Sequence, residues 1–397
     1  MVAVVQQPKQ FTPAYNDMIY VVNSTNHTQT NFKFLASIYI EGDVITLKAS
    51  VDPTYNTGVF NFGRIVESYV SQSIDLNGFT SGFATNDNSK TSFYVKFGEE
   101  YGASSGVIQY TNLLQSETRY VWNGIVDYLP FQSYNDTGYL IDNTNRTLNS
   151  SGTQYIQTGQ DAWQYYVVKE PTTVTEATIL TISATGSLIQ SATIANPYQT
   201  SGTIAHHFIR FACGTNNLNL ATLATGTQPL ITSSVASYQV ILRAGGTYIY
   251  NIVDADCKYP TYRLHYMNAL GAFDSVNFTK ISRKSVDIKK EKFKSIPNGL
   301  TSATAYGYSK SALIDRTFYT ELGDSVKIST DWLSDATFAQ LEELVTSPRI
   351  YVHDATHGEV AVTIASSSFD IKTSLNDKLI RLELNINYGY NRYRQRF

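Results

Sequence analysis

Few side chains in this sequence are spaced for chemistry. Gly102-Ala103-Ser104-Ser105-Gly106 matches the G-x-S-x-G pattern of a nucleophile elbow. Such an elbow needs a strand before it and a helix after it, which lift the serine oxygen above a parallel sheet. Here VKFGEEY precedes the match, VIQYTNLL follows it, and no βαβ alternation occurs. A Gly/Ser loop between antiparallel strands is therefore the expectation. His353-Asp354-Ala355-Thr356-His357 sets two imidazoles at i and i+4, a metal-binding spacing when it falls on a helix. It lies instead between the strand-like runs RIYV and EVAVTI, so the two histidines are expected at the ends of a hairpin loop, with no metal. His206 and His207 would point to opposite faces of a strand, so joint ligation is not expected.

The carboxylates give little more. Glu99-Glu100 and Asp254/Asp256 could flank a glycosidic bond in a folded site, but a chain with 33 acidic residues offers such pairs without any site. DNTNRTLN (142–149) approaches a calcium loop until Arg146 occupies a position that needs oxygen. Walker A, dinucleotide, H-E-x-x-H and EF-hand patterns are all missing from the sequence. The expectation is a non-enzyme with no catalytic residue, no cofactor and no metal.

The elements that would have to position any site read as β. MIYVVNS (18–24), FKFLASIYIEG (32–42), TSFYVKFG (91–98), YVVKEP (166–171), ATILTISATG (177–186), SYQVILRAGG (237–246), TYIYNIV (247–253) and KLIRLELNINY (378–388) alternate with period two and are rich in β-branched and aromatic residues. Two glycines in AGGT (244–247) predict a hairpin turn. GRIVESYVSQSI (63–74) has the spacing of one short helix. The clearest helix is SDATFAQLEELVTSP (334–348), capped by Ser334 or Asp335, with Phe338, Leu341, Leu344 and Val345 on one apolar face and Pro348 at its stop. RTFYTEL (316–322), SVKIST (325–330), RIYVHD (349–354) and EVAVTIAS (359–366) surround it as strands.

The fold class expected is mainly β: two or three antiparallel β-sandwich or barrel domains, the C-terminal one with a single α-helix packed on the sheet. The cuts fall at residues 1–127, 128–281 (a middle β domain and possible outward platform) and 282–397, the last a ring-forming domain.

Composition narrows the surface. Of 397 residues, 16% are charged and 13% aromatic, with 29 Tyr, and Ser, Thr, Asn, Gln and Tyr supply the polarity that charge does not. Collagen, coiled coil and disorder are excluded, and a polar but low-charge exterior suits surfaces covered by partners. Tyrosines alternating in strands serve core packing first, and in loops they also suit subunit or sugar contacts. Cys213 and Cys257 make neither a disulfide framework nor a metal site and are expected as buried thiols. The opening residues lack a basic n-region, and no apolar run approaches the ~18–20 residues that span a bilayer, so neither a signal peptide nor a membrane segment is expected. Six sequons, at Asn23, Asn26, Asn135, Asn145, Asn149 and Asn277, are read as unused. Charge is uneven. Residues 1–257 carry 11 basic against 18 acidic side chains, and residues 258–397 carry 19 against 15. The basic excess centres on Lys284, Lys289, Lys290, Lys292 and Lys294, and on Arg392, Arg394 and Arg396. A solvated strand and a frayed tail are the plainer reading, contact with an acidic neighbouring subunit comes next, and direct nucleic-acid contact is not expected.

Three segments carry a family resemblance. PKQFTPAYNDMIYVVNSTNHTQTNFKFLASIYI with GVFNFGRIVESYVS resembles the N-terminus of structural proteins of tailed phages and prophages of Bacteroidetes-type bacteria. YRLHYMNALGAFDSVNFTKISRKS (262–285) is similar to a "strand, Asn-x-x-Gly-x-Phe/Tyr-Asp, strand" signature of the same proteins. STDWLSDATFAQLEELVTSPRIYVHD and VAVTIASSSFDIKTSLNDKLIRLELNINY resemble their C-terminal domain, the ring domain of tail-tube and distal tail proteins. Within the signature, Gly271 is expected to make the turn that Asn268 opens, Phe273 to anchor the core and Asp274 to cap the turn's backbone donors. The resemblance implies a virion subunit, made in the host cytoplasm, that forms a homo-oligomeric ring of six-fold or related symmetry with other virion proteins in a tail, baseplate or tail hub. The alternatives are a receptor- or carbohydrate-binding attachment protein, whose middle domain contacts host surface glycans, and a head decoration or connector protein.

Overall fold

The computed structural model describes residues 2–71, 81–85, 87–102, 108–150, 152–199, 204–254, 258–295, 299–307, 313–330, 335–354, 356–365 and 383–394. The fold is mainly β, with several antiparallel sheets and five short α-helices among the described residues. The chain divides into two compact units: Met1–Asp254 with Met267–Asp274, and Ala255–Tyr266 with Ser275–Phe397.

The first unit holds two hydrophobic clusters. One lies between a three-stranded sheet (Val2–Gln6, Ile19–Ser24, Thr57–Asn61) and a six-stranded sheet centred on Lys33–Ile40 and Lys90–Glu100. Period-two alternation explains it. Tyr20 and Val22 from one sheet meet Phe34, Ala36, Ile38 and Phe97 from the other, all fully buried. The second cluster joins a five-stranded sheet, built on Glu176–Ser183 and Val235–Arg243, to the three-stranded sheet Trp163–Val167, Phe208–Ala212 and Gly82–Thr85. The strand Gly82–Thr85 pairs with Phe208–Ala212 from more than a hundred residues away. Each large apolar side chain buried this way contributes about 1.5–3 kcal/mol.

Several tyrosines serve this packing. Tyr20, Tyr165, Tyr166 and Tyr238 are fully buried, and Tyr238 stacks on Tyr250 at 5.0 Å. Tyr39 and Tyr94 stack at 4.8 Å on a half-buried sheet face, with Lys96 Nζ 4.7 Å from the Tyr39 ring. The AGGT turn closes the hairpin of Val235–Arg243 and Gly246–Ile252, with Gly245 at φ +95°. Cys213 is buried, and Cys257 lies outside the described residues.

Local differences from the sequence reading have physical causes. The helix in 63–74 spans only Gly63–Glu67. The strand in YVVKEP runs earlier, at Trp163–Val167, and Pro171 instead opens a 3-10 turn. His206 and His207 close a 3-10 turn, Ile204–His207, and do not lie in a strand. RTFYTEL and SVKIST are one strand, Asp315–Ser329: Gly323 keeps its cross-strand partners, and a bulge between Gly323 and Ser325 absorbs the irregularity. Two short pairs are parallel, Phe11–Pro13 with Arg119–Trp122 and Gln154–Ile156 with Gly246–Ile252.

The second unit is built on a seven-stranded sheet. Its order is Phe273–Phe278, Tyr262–Met267, Ile350–Asp354, Gly358–Ile364, Glu383–Tyr393, Asp315–Ser329 and Arg283–Lys294. Leu264, Val352, Val362, Ile386, Val326 and Ile328 alternate onto one face, and the helix Asp335–Thr346 packs Leu341 and Leu344 there, both fully buried. Val345 is half-buried against the same cluster. The side chain of Phe338 and residue Ser334 lie outside the described residues. Pro348 follows the helix end at Thr346, as its missing N–H requires. The Lys280 N–H donates to the Ser329 carbonyl at 3.2 Å, so the sheet curls toward itself beyond its first strand. Among the described residues, no helix is long and apolar enough to cross a membrane.

Candidate functional site

In the second unit the strand Arg283–Lys294 stands out by its exposure. All twelve of its residues are exposed, and it ends the sheet order; among the described residues it is paired only with Asp315–Ser329. An open edge of this length presents a row of backbone donors and acceptors that another strand can complete. The sequence decorates it with both binding chemistries. Val286, Ile288 and Phe293 are 45%, 59% and 43% exposed, while Lys284, Lys289, Lys290, Lys292 and Lys294 line it with positive charge. Lys289 lies 4.0 Å from Glu321. Among the described residues, Lys284, Lys290, Lys292 and Lys294 form no ion pair. The neighbouring strands extend the ribbon: Phe293 meets Phe318 edge-on at 6.2 Å, and Tyr319 meets Tyr393 at 5.8 Å. Arg392 holds Asp324 at 2.6 Å, and Asn391 donates to Glu321, so acids of the central strand are already engaged.

The signature turn is a folding site of the first unit. Asn268 opens it: its side-chain oxygen accepts the Ala272 N–H at 2.9 Å and its carbonyl accepts the Gly271 N–H at 3.0 Å. Gly271 has φ +82°, a region that side chains with a Cβ disfavour. Phe273 is fully buried beside Tyr165. Asp274 differs from its expected role, because the turn's donor goes to Asn268. The Asp274 carboxylate instead accepts Asn149 Nδ2 (2.8 Å), Ser150 Oγ (2.7 Å) and Asn268 Nδ2 (2.9 Å). The turn is further fixed by Ile125 N–H to the Ala269 carbonyl at 2.7 Å and by Trp122 Nε1 to the Leu270 carbonyl at 3.2 Å.

A third constellation was not legible as a motif. On the polar face of the seven-stranded sheet, Ser275 Oγ lies 2.7 Å from His265 Nδ1. His265 Nε2 lies 3.6 Å from Glu359 Oε1, which also contacts His353 Nδ1 at 2.6 Å. The His265 and Glu359 side chains are 1% and 4% exposed, whereas Ser275 is only half-buried. Burial pushes the His265 imidazole well below its usual pKa, and the Arg263 and His353 charges push the same way. Three strands supply the three groups, separated by 10 and 94 residues of chain, so no local spacing could reveal them.

The other residues singled out by sequence are dispersed. Glu99 and Glu100 are successive strand residues: Glu99 accepts from Ser24 and Asn26, while Glu100 pairs with Lys48 at 2.6 Å. Asp142 accepts the Lys169 and Glu170 N–H groups and the Thr173 hydroxyl, a purely structural use. His353 and His357 flank the hairpin turn between Ile350–Asp354 and Gly358–Ile364. There Asp354 accepts the Thr356 and His357 N–H groups and meets His357 Nδ1, contacts that hold its carboxyl below the usual range. Ser104, Ser105 and Asp256 lie outside the described residues. Among the described residues, no group of three His, Cys, Asp or Glu is arranged to hold a metal ion. A cavity of about 10 Å³ beside Phe11, Lys90, Trp122 and His207 has room for one water.

The chain matches no protein-family model, and no curated protein matches its sequence.

Proposed function

We propose that this chain is a structural subunit of a tailed-phage virion, a tail, baseplate or tail-hub component that assembles into a ring through its second unit. The observation that carries the reading is the strand Arg283–Lys294, whose outer edge is unpaired among the described residues and which is exposed on all twelve of its own. A long exposed edge bearing Val286, Ile288 and Phe293 is an aggregation liability in a free monomer, and a neighbour's strand removes it. Charge favours a ring over a two-fold dimer. The strand carries six basic and two acidic residues, a net of +4, so antiparallel pairing with its own copy would oppose like charges. A heterologous contact, edge to a different surface, avoids this, and it closes into a ring where the rotation from one subunit to the next divides the full circle. The resemblance of the C-terminal segments to tail ring domains agrees with that geometry. The assembly role itself needs no catalytic group.

Native mass measurement tests the reading, together with a search for the chain in isolated particles. The expected result is a discrete multiple of 44.2 kDa that collapses to one chain when Val286 and Ile288 are both replaced by Lys. A wild-type chain that stays at one copy at high concentration and is missing from particles would overturn it.

A further inference from the structure

We infer that Ser275 is an activated nucleophile, with His265 as its base and Glu359 as the carboxylate behind the base, able to take an acyl group from an ester. The three groups stand in the order of such a relay, with a hydrogen bond at the serine end and a longer, charge-only contact at the carboxylate end. Ser275 Oγ faces His265 Nδ1 at 2.7 Å, and the opposite ring nitrogen faces Glu359 Oε1 at 3.6 Å. With the serine hydroxyl donating to Nδ1, the imidazole carries its own proton on Nε2, which lies beyond hydrogen-bond distance of Glu359 Oε1 and meets that carboxylate only as a nearby charge. The ring is turned round relative to the familiar serine–histidine pair, so here Nδ1 takes the serine proton and Nε2 faces the carboxylate. Burial is graded in the useful direction: Glu359 and His265 are enclosed, and Ser275 is half-buried on a strand at the end of the sheet order. Enclosure keeps the imidazole neutral, the form in which a ring nitrogen can accept a proton. His353, bonded to the same Glu359 oxygen, fixes the carboxylate's orientation.

The step balances without any further reagent. Ser275 Oγ bonds to the ester carbonyl carbon while its proton passes to His265 Nδ1. The C–O bond to the alcohol breaks, and the leaving oxygen takes that proton. Water then attacks the acyl-serine, gives its proton to His265, and releases the acid as Oγ is reprotonated. Glu359 offsets the transient imidazolium charge.

The test uses the full chain, a fluorophosphonate probe and intact-mass measurement with peptide mapping. One phosphonyl adduct on Ser275 is expected, and it is lost in Ser275→Ala. His265→Gln should slow labelling on the order of 100-fold or more, as loss of a general base does. Glu359→Gln should slow it on the order of tenfold, with an unchanged thermal melt to show that the fold survives. Ser275→Cys provides an independent reading: its thiol should be alkylated faster than the thiol of free cysteine, with the excess lost when His265 is also replaced by Gln. An unlabelled wild-type chain, labelling that persists in Ser275→Ala, or an ordinary thiol rate in Ser275→Cys would each reduce the cluster to a polar tie between strands and overturn the inference.

Discussion

Asp274 Oδ2 accepts the Ser150 hydroxyl at 2.7 Å, a bond that spans 124 residues of chain. The same carboxylate receives Asn149 and Asn268, and Asn149 also donates to the Trp163 and Phe273 carbonyls while accepting the Tyr165 N–H. Asp274 is thus the acceptor that holds the signature turn to the segment before Trp163–Val167. Removing it takes the acceptor from the Ser150 N–H and hydroxyl and leaves Asn149 and Asn268 Nδ2 only their carbonyl acceptors, the costly direction of a hydrogen-bond deletion. Asp274→Ala should lower unfolding free energy by about 3 kcal/mol, read by chemical denaturation. A loss below roughly 1 kcal/mol would mean that water replaces the carboxylate.

The helix Asp335–Thr346 gives a second measurable consequence. Leu344 is completely buried against the sheet and Val345 only half so. Truncating a fully enclosed leucine leaves a cavity as well as losing transfer free energy, whereas a half-exposed valine loses less and its site refills with water. Leu344→Ala should cost about 2–5 kcal/mol and Val345→Ala about 1 kcal/mol, measured on the same denaturation curve. Equal effects would place the helix in a different rotation.

These two sites show which parts of the fold were legible. Leu341 and Leu344 could be named because helical spacing repeats every few residues, and strands such as Ile19–Ser24 and Lys33–Ile40 because alternation needs only local sequence. Gly271 was readable as a turn residue for the same reason. Asp274's partners were not, since residues 149 and 150 become neighbours only through tertiary folding. The Ser275, His265 and Glu359 grouping failed for the same cause, while the G-x-S-x-G match that sequence did offer lacks its strand–turn–helix setting. The lysines of 284–294 were visible as charge, but their place on an open edge follows from sheet order, which no period encodes.

His265 predicts a pH dependence with a definite sign. Its folded pKa is lowered by burial first, then by Arg263 and His353. In the unfolded chain it takes a proton near pH 6.5, while the folded chain resists. Above that pH the residue is neutral in both states and contributes no slope. As pH falls below about 6.5 the unfolded state binds more protons, so stability declines, approaching about 1.4 kcal/mol per pH unit, until the folded pKa is reached. His265→Gln should remove this component while the carboxylate losses at lower pH remain, among them that of Asp354, whose carboxyl is held below its usual range. Denaturation series at pH 7.5, 6 and 5 would show it. A wild-type slope unchanged in His265→Gln would mean that the imidazole titrates normally.

The basic edge separates two ways of assembling. Lys284, Lys290, Lys292 and Lys294 form no ion pair among the described residues, so their charge is available to a neighbour. If that neighbour presents an acidic surface, replacing all four with Gln should weaken association by about 1–3 kcal/mol, given roughly 0.2–1 kcal/mol for each exposed pair. The same variant should flatten the salt dependence, because the screening length falls from about 10 Å at 0.1 M to about 3 Å at 1 M. Symmetric pairing of two copies of this edge predicts the reverse: lysine neutralisation relieves repulsion, and both the variant and high salt strengthen association. Sedimentation equilibrium of wild-type and variant chains at 0.05 M and 1 M salt distinguishes the signs. Tighter association of the four-Gln variant would reject the heterologous ring and leave a two-fold contact in its place.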